Sequence, residues 1–140
     1  MPRFIKGKFK PKNPQKYIGD KFPTYRSSWE LKMFMQLDEN PNVVKWASEM
    51  IAIPYVNPLK PNVISHYYPD LLVTSIGKNN KQITELIEIK PLKQAVEEKA
   101  RTIEEKIAVL VNKAKWEAAQ RFCKLNKIIF RVITERNLNF

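Results

Sequence analysis

The chain has 140 residues and a formal net charge of +11 at pH 7, with 25 lysines and arginines against 14 acids. That length suits one domain with a single apolar core, and that charge favours a polyanionic partner. No apolar run is long enough to cross a membrane, and the basic start is unlike a secretory leader, so no membrane partner is expected. The single cysteine, Cys123, excludes an intramolecular disulfide and a cysteine-based zinc site.

Residues 1–24 are predicted to form a basic arm ahead of a domain over residues 25–140. Four prolines in this segment rule out a regular helix. Lys8, Lys10 and Lys12 would allow an extended arm to follow a phosphate backbone or to bind an acidic protein surface. The alternative is a solvated tail that only aids solubility.

Ser27 through Asn40 is predicted as the first helix, which the following proline ends. Ser27 and Glu30 match a capping box, which would give Glu30 a purely structural role. Glu30 also shares a helical stripe with Phe34 and Leu37, and a carboxylate on the core side of a helix is costly unless it is satisfied. Capping and ligand binding are therefore both open for Glu30.

Strands are predicted in the middle of the chain. The alternating stretch over residues 46–56 is predicted as one strand, which Pro54 would either end or place at an edge. A loop over 57–62 follows. Residues 67–76 and 82–90 are then predicted as an antiparallel hairpin around a polar turn.

The hairpin brings together two carboxylates and a lysine. If the turn is centred near Asn79, opposed residue numbers sum to about 158, which places Asp70 across from Glu88. Lys90 lies two residues past Glu88 and projects from the same face of the strand. Opposed carboxylates repel unless a positive charge lies between them, so this arrangement indicates a divalent cation site. An exposed hairpin with ordinary cross-strand charge pairs is the alternative.

The last third of the chain is predicted as helix and then strand. Apolar residues recur at helical spacing from Leu92 to Ala114, with a break allowed near Thr102. A strand over residues 128–134 closes the chain.

The combined motifs resemble the PD-(D/E)xK nuclease superfamily, and within it the head-completion proteins of tailed phages and the TnsA-type transposon endonucleases. The matching segments are Tyr25-Arg26-Ser27-Ser28-Trp29-Glu30, residues 38–43, Ile53-Pro54-Tyr55, Tyr68-Pro69-Asp70, Glu88-Ile89-Lys90-Pro91 and residues 112–119. The resemblance implies an α/β, restriction-endonuclease-like core, with a small mixed central sheet flanked by helices. It also implies Mg²⁺-dependent DNA cleavage, with Mn²⁺ as a substitute cation.

Site roles follow from this resemblance. Asp70, Glu88 and the Ile89 carbonyl would hold the cation, Lys90 would act on the water and the phosphate, and Glu30 would join the metal site. Further residues are predicted to contact DNA. Three precede or begin the first helix, where a positive helix end attracts phosphate, and two lie on later helices: Tyr25, Arg26, Ser27, Gln94 and Lys115.

The expected function is DNA cleavage during phage head completion, in the host cytoplasm during assembly or at the virion head or neck. Portal or neck proteins are expected partners, and a dimer would suit double-strand cutting. Two alternatives remain open. One is a junction resolvase-type nuclease, and the other is a structural head or neck protein that keeps the nuclease fold without cutting.

Overall fold

The structure of the chain is a computed structural model, and it describes residues 6–136. Residues 1–5 of the predicted arm and 137–140 of the predicted domain lie outside this range. The elements in chain order are β1 (Gly7–Lys8), β2 (Thr24–Tyr25), α1 (Ser28–Glu39), β3 (Val43–Ser48), β4 (Ile53–Val56), β5 (Ile64–Tyr67), β6 (Leu71–Ile76), β7 (Gln82–Ile89), α2 (Leu92–Ala95), α3 (Ile103–Asn126) and β8 (Ile129–Ile133).

The central sheet has four strands in the order β3-β6-β7-β8. β3, β6 and β7 pair antiparallel, whereas β7 and β8 pair parallel, so the sheet is mixed. α3 provides the crossover that a parallel pair requires. The predicted α/β class with a small mixed sheet and flanking helices is confirmed.

The predicted hairpin register is also confirmed. Leu71 pairs with Ile87 and Leu72 with Leu86, so opposed numbers sum to 158. The predicted strand over residues 67–76 is wrong at its start, because Tyr67 belongs to β5 and β6 begins only at Leu71. Pro69, between the two strands, has no N–H to donate to a ladder, which suits a break in pairing there.

The single strand predicted over residues 46–56 is two strands in different sheets. β3 ends at Ser48 and lies in the central sheet, whereas β4 pairs with β5 in a separate two-stranded ribbon. The chain turns at Glu49, whose φ of 50° lies in the left-handed region and interrupts the extended conformation. The prediction that Pro54 lies on an edge is confirmed, since β4 pairs with β5 alone.

The helical segment after Pro91 is interrupted. α2 is a single turn, a 3₁₀ turn follows at Glu97–Lys99, and α3 begins at Ile103. Thr102 caps α3 in a full capping box with Glu105, which is why the helix starts there. The allowed break near Thr102 is thus confirmed. The prediction of one continuous helical pattern from Leu92 to Ala114 is wrong. No helix among residues 6–136 is both long and apolar enough to span a membrane.

The two faces of the central sheet bury separate apolar clusters. One face packs α1 through Phe34 against Trp46, Leu71 and Ile87. The other face carries Leu86 and packs against α3 and the β4–β5 ribbon. This division follows from the alternation of side chains along a strand, so β6, β7 and β8 each contribute to both clusters.

The described part of the arm is folded onto the domain. β1 pairs with β2, and the Phe9 ring lies 5.8 Å from Phe34 and 6.1 Å from Trp46, centroid to centroid. The buried Asp38 carboxylate accepts hydrogen bonds from the backbone N–H groups of Lys12 (2.9 Å) and Asn13 (3.0 Å). These contacts order the backbone of the arm, whereas Lys8, Lys10 and Lys12 remain exposed.

Candidate active site

Asp70 lies in the tight connection between β5 and β6, one residue before the central sheet. Its Oδ2 atom accepts a hydrogen bond from the Ile89 backbone N–H at 2.7 Å, which fixes the carboxylate against the end of β7. Burial, and then repulsion from Glu88, raise the pKa of Asp70 well above its usual value. The predicted proximity of Asp70 and Glu88 is therefore present in the structure.

Glu88 and Lys90 extend from the end of β7 on one face. The Lys90 ammonium lies 3.4 Å from Glu88 Oε2, and the Lys90 backbone N–H donates to the Ile133 carbonyl of β8 at 2.9 Å. The Glu88 side chain is only 5% exposed. Its other oxygen, Oε1, is buried and has no hydrogen-bond partner within the described residues 6–136. A buried carboxylate oxygen without a donor is costly, so this atom has capacity for a ligand.

Glu30, in the first turn of α1, is half-buried at the same end of the sheet. Ser27 accepts a hydrogen bond from the Glu30 backbone N–H at 3.1 Å, but the Glu30 carboxylate accepts from the Arg26 N–H at 2.6 Å instead of closing the predicted box on Ser27. Burial raises the pKa of Glu30, and Glu49 and Glu88 add to that rise. Glu30 thus combines a structural contact with a place in the acidic site.

Glu49 is an acidic residue of this site that sequence reasoning missed. Carboxylate oxygens of Glu30, Glu49 and Asp70 lie within 4.8 Å of one another. The Glu49 backbone N–H donates to the Asp70 carbonyl at 3.0 Å, and its carboxylate pairs with the Arg26 guanidinium. Only the left-handed turn at Glu49 brings it here, and no local motif in the sequence marks that turn.

This donor set fits a divalent cation. Hard cations such as Mg²⁺ prefer carboxylate oxygens, and Glu30, Glu49, Asp70 and Glu88 gather several of them at one end of the sheet. A divalent cation bound there would offset the repulsion between Asp70 and Glu88, and it would give the buried Glu88 Oε1 a partner.

Two aromatic residues border Glu88 on the face of the sheet that also carries Leu86. In the described part of the chain, the Tyr67 hydroxyl and the Trp116 indole N–H are buried and make no hydrogen bond of normal geometry, as is the case for Glu88 Oε1. Burial raises the pKa of Tyr67, and the negative charge of Glu88 adds to that rise, so the hydroxyl lies close to the carboxylate. Three buried polar groups therefore lie close together beside the acidic site, with no hydrogen bond of normal geometry among residues 6–136.

The other predicted contact residues divide into two groups. Arg26, Ser27 and Gln94 line a cavity of about 710 Å³ that also includes Glu30 and Asp70. Outside that cavity lies Tyr25, whose ring covers Gly7 and packs against the core.

The predicted arm lysines do not cluster at the acidic site. Lys12 lies beside Asp38 and Glu39 at the far end of α1. The helical rise from Glu30 to Glu39 puts it about 14 Å away along the helix. Lys8 pairs with Thr24 in the β1–β2 ladder, and Lys10 is exposed.

Lys115 lies near the acidic site on α3. Its ammonium is 5.9 Å from the centre of the Tyr55 ring and 5.6 Å from that of Tyr67. Neither tyrosine was predicted as a site residue from the sequence, because their closeness depends on how the ribbon packs on α3.

Comparison with known proteins identifies the class that this fold and site define. Residues 40–135 match the family described as the TnsA-like endonuclease N-terminal domain, and the chain belongs to that family. The chain is also 36% identical to the head completion nuclease of Enterobacteria phage T4, over 94% of its own length and 92% of that protein. The resemblance and the endonuclease class predicted from the motifs are confirmed. Asp70, Glu88 and Lys90 lie inside the matched segment, whereas Glu30 precedes it.

Proposed function

We propose that the protein is a metal-dependent DNA endonuclease that acts in phage head completion after DNA packaging. The observation that carries this proposal is the meeting of Asp70, Glu88 and Lys90 at the end of β7, where one Glu88 oxygen is buried and has no hydrogen-bond partner among residues 6–136. The endonuclease family and the similarity to a head completion nuclease support the substrate and the biological setting.

Asp70, Glu88 and the Ile89 carbonyl are the proposed ligands for Mg²⁺, with Glu30 completing the set and Mn²⁺ able to replace Mg²⁺. The N–H and C=O of a strand residue point to the same edge, and the Ile89 N–H points at Asp70, so its carbonyl faces that side too. When bound, the cation supplies positive charge that acidifies an attacking water and offsets charge on the phosphate.

Lys90 is the proposed catalytic cation of the chain itself. Its backbone is anchored to β8, and its ammonium, which lies 3.4 Å from Glu88 Oε2, can donate hydrogen bonds to a phosphate oxygen or to the attacking water. In the hydrolysis, water forms a new bond to phosphorus, the bond from phosphorus to one sugar oxygen breaks, and that oxygen takes up a proton. The carboxylates of Asp70 and Glu88 would orient the water. Because they are negative, they would repel the DNA phosphate unless a bound cation offsets their charge.

DNA contacts are proposed at two places. Arg26, Ser27 and Gln94 line the cavity beside the acids and would contact phosphates near the scissile bond, whereas Tyr25 would contact the DNA from outside that cavity. Lys8, Lys10 and Lys12 on the arm would contact the DNA backbone farther away, where the net charge of +11 favours binding in general.

Head completion would bring the protein to packaged DNA in the host cytoplasm, or keep it at the virion head or neck beside portal or neck proteins. Cleavage of both strands would require two sites, which a dimer would supply.

A cleavage assay tests this function. Linear, branched and supercoiled DNA would be incubated with Mg²⁺ or Mn²⁺ and either the wild type or Lys90→Ala. Lys78→Ala, in the exposed hairpin turn, is the matched control. We expect cutting by the wild type and the control and a loss of about a thousandfold in Lys90→Ala.

Each contrary result has a specific meaning. Cutting that survives in Lys90→Ala would remove the proposed catalytic role of this lysine. DNA binding without cutting by any of the three proteins would favour a structural head or neck role. A strong preference for branched DNA would favour a resolvase-type nuclease.

A further inference from the structure

Two tyrosine faces hold a lysine at the edge of the candidate active site. Tyr55 in β4 and Tyr67 in β5 lie on one face of the ribbon, because Tyr67 pairs with Ile53, two residues before Tyr55. The Lys115 ammonium lies within 6 Å of both ring centres, at 5.9 and 5.6 Å, which is cation–π range. Both rings are buried, so this position is fixed by the core.

This lysine differs from Lys90 in its partners. Lys90 pairs with Glu88, whereas Lys115 forms no ion pair with any residue in the described range 6–136. Lys115 nevertheless lies within the electrostatic reach of Lys90, Glu88 and Asp70, so it belongs to the same neighbourhood. Burial lowers the pKa of Lys115, and repulsion from Lys90 lowers it further.

The contacts with the two rings leave the N–H donors of the Lys115 ammonium available for other hydrogen bonds. An aromatic face attracts the charge but does not neutralise it, so the three N–H groups can still bind an anion. A half-buried ammonium without a carboxylate is stabilised when an anion arrives, and a phosphate oxygen is an anion of the right chemistry.

The helix that carries Lys115 is tied to the segment that follows Lys90. Asn112, one turn before Lys115 on α3, is buried and donates from its side chain to the Gln94 carbonyl of α2 at 3.0 Å. α2 begins two residues after Lys90. The two lysines are therefore held in a fixed relation by short connections.

We propose that Lys115, positioned by the faces of Tyr55 and Tyr67, binds a DNA phosphate next to the one that is cleaved. Lys90 then acts on the scissile phosphate, and Lys115 aligns the strand by holding a neighbouring phosphate. Tyr55 and Tyr67 are positioning residues in this arrangement. The proposal rests on the proposed function for its substrate, which is DNA.

DNA affinity measured as a function of salt tests this assignment independently of cleavage. Binding of a short duplex would be measured in EDTA, where hydrolysis is suppressed, for the wild type and Lys115→Met, which keeps an unbranched apolar stem but removes the charge. Lys113→Met, two residues away and exposed on the same helix, is the matched control. The loss of one phosphate contact should reduce the slope of log affinity against log salt by about one and weaken binding by about tenfold at low salt.

Lys115→Arg and Tyr67→Leu complete the experiment. Arginine keeps a cation and should restore most of the affinity, whereas removal of the Tyr67 ring should weaken binding in the same direction as Lys115→Met. In Mg²⁺, Lys115→Met should raise KM by more than it lowers kcat.

The contrary outcomes are distinct. Equal salt slopes in Lys115→Met and Lys113→Met, even with a lower melting temperature, would show a packing role only and overturn the inference. If the wild type bound DNA but failed to cut it with Mg²⁺ or Mn²⁺, the proposed catalytic function would fail, and a reduced slope in Lys115→Met would still support the phosphate contact. No DNA binding by the wild type would overturn both.

Discussion

The candidate site has two parts. Its inner side is built on paired strands, and its rim is built by the start of a helix and by the turn that follows β3. Asp70, Glu88 and Lys90 form the inner side, where the β6–β7 register and the bond from Lys90 to β8 hold them. Glu30, Glu49 and Arg26 form the rim, where a helix start meets the left-handed turn after β3. The inner side is more buried, and its geometry follows from a ladder. The rim depends on long-range packing, so we expect substitutions there to have graded effects.

Asp70→Asn should have the largest effect. The amide can still accept the Ile89 N–H bond but lacks the negative charge that a divalent cation requires, so cleavage should fall by about a thousandfold or more. Cleavage rates with saturating Mg²⁺ and Mn²⁺ would measure the loss. Asp20→Asn, at an exposed arm position, is the control. A loss smaller than tenfold would place the metal-binding function elsewhere.

Glu49→Gln should have an intermediate effect that separates the rim from the inner side. Its carboxylate lies within 4.8 Å of those of Glu30 and Asp70, but its pair with Arg26 already offsets part of its charge. We expect about a tenfold loss of activity at limiting Mn²⁺ that higher Mn²⁺ largely restores. A Mn²⁺ titration of the cleavage rate would measure this shift. An unchanged titration would show that Glu49 does not lie near the cation. A loss of cleavage as large as that of Asp70→Asn would show that Glu49 is as important as the inner-side residues.

The same division explains what could be predicted from the sequence. The inner side was predictable because the hairpin turn sets the register, and a fixed register determines which side chains oppose each other. Glu30 was identified by its helical stripe and the family resemblance. Glu49 was not, because the residue looks like one more alternating position in a strand, and nothing local indicates the turn.

The ribbon was missed for a related reason. Residues 46–56 alternate as one continuous strand would, but β3 and β4 lie in different sheets. Periodicity reports which side chains are buried and does not report which sheet a segment joins. Tyr55 and Tyr67 therefore gave no signal of their closeness to Lys115, which depends on how the ribbon packs on α3.

Removing the charge of Asp70 should also change the free energy of unfolding. This effect should be smaller than the effect on the free energy of activation for cleavage. The pKa of Asp70 in the folded protein lies above its value of 3.8 in a model compound, chiefly because of burial and then Glu88. Between the unfolded and folded pKa values the folded state binds more protons, so the free energy of unfolding falls as pH rises through that range. In EDTA at pH 7, we expect Asp70→Asn to melt a few degrees above the wild type and to depend less on pH above about 4.

Thermal melts with and without Mg²⁺ would measure this difference. Mg²⁺ should raise the melting temperature of the wild type more than that of Asp70→Asn, because only the wild type offers the complete carboxylate set. Equal shifts would argue against a cation at Asp70. A lower melting temperature for Asp70→Asn in EDTA would show that hydrogen bonding of the carboxylate outweighs its repulsion from Glu88.

Tyr67→Phe should have the smallest effect and tests how the inner side borders the ribbon. Among residues 6–136 the buried Tyr67 hydroxyl makes no hydrogen bond of normal geometry, although it lies close to Glu88, so its removal should change the melting temperature by no more than about two degrees. The ring face under Lys115 is kept, so DNA affinity and its salt dependence should match the wild type. Cleavage should fall by only about threefold, because the hydroxyl limits where the Glu88 carboxylate can move.

Melting, binding and cleavage measured on one preparation would separate these contributions. A large drop in DNA affinity would mean that the hydroxyl, and not the ring, positions Lys115, whereas a hundredfold loss of cleavage would make Tyr67 part of the inner side.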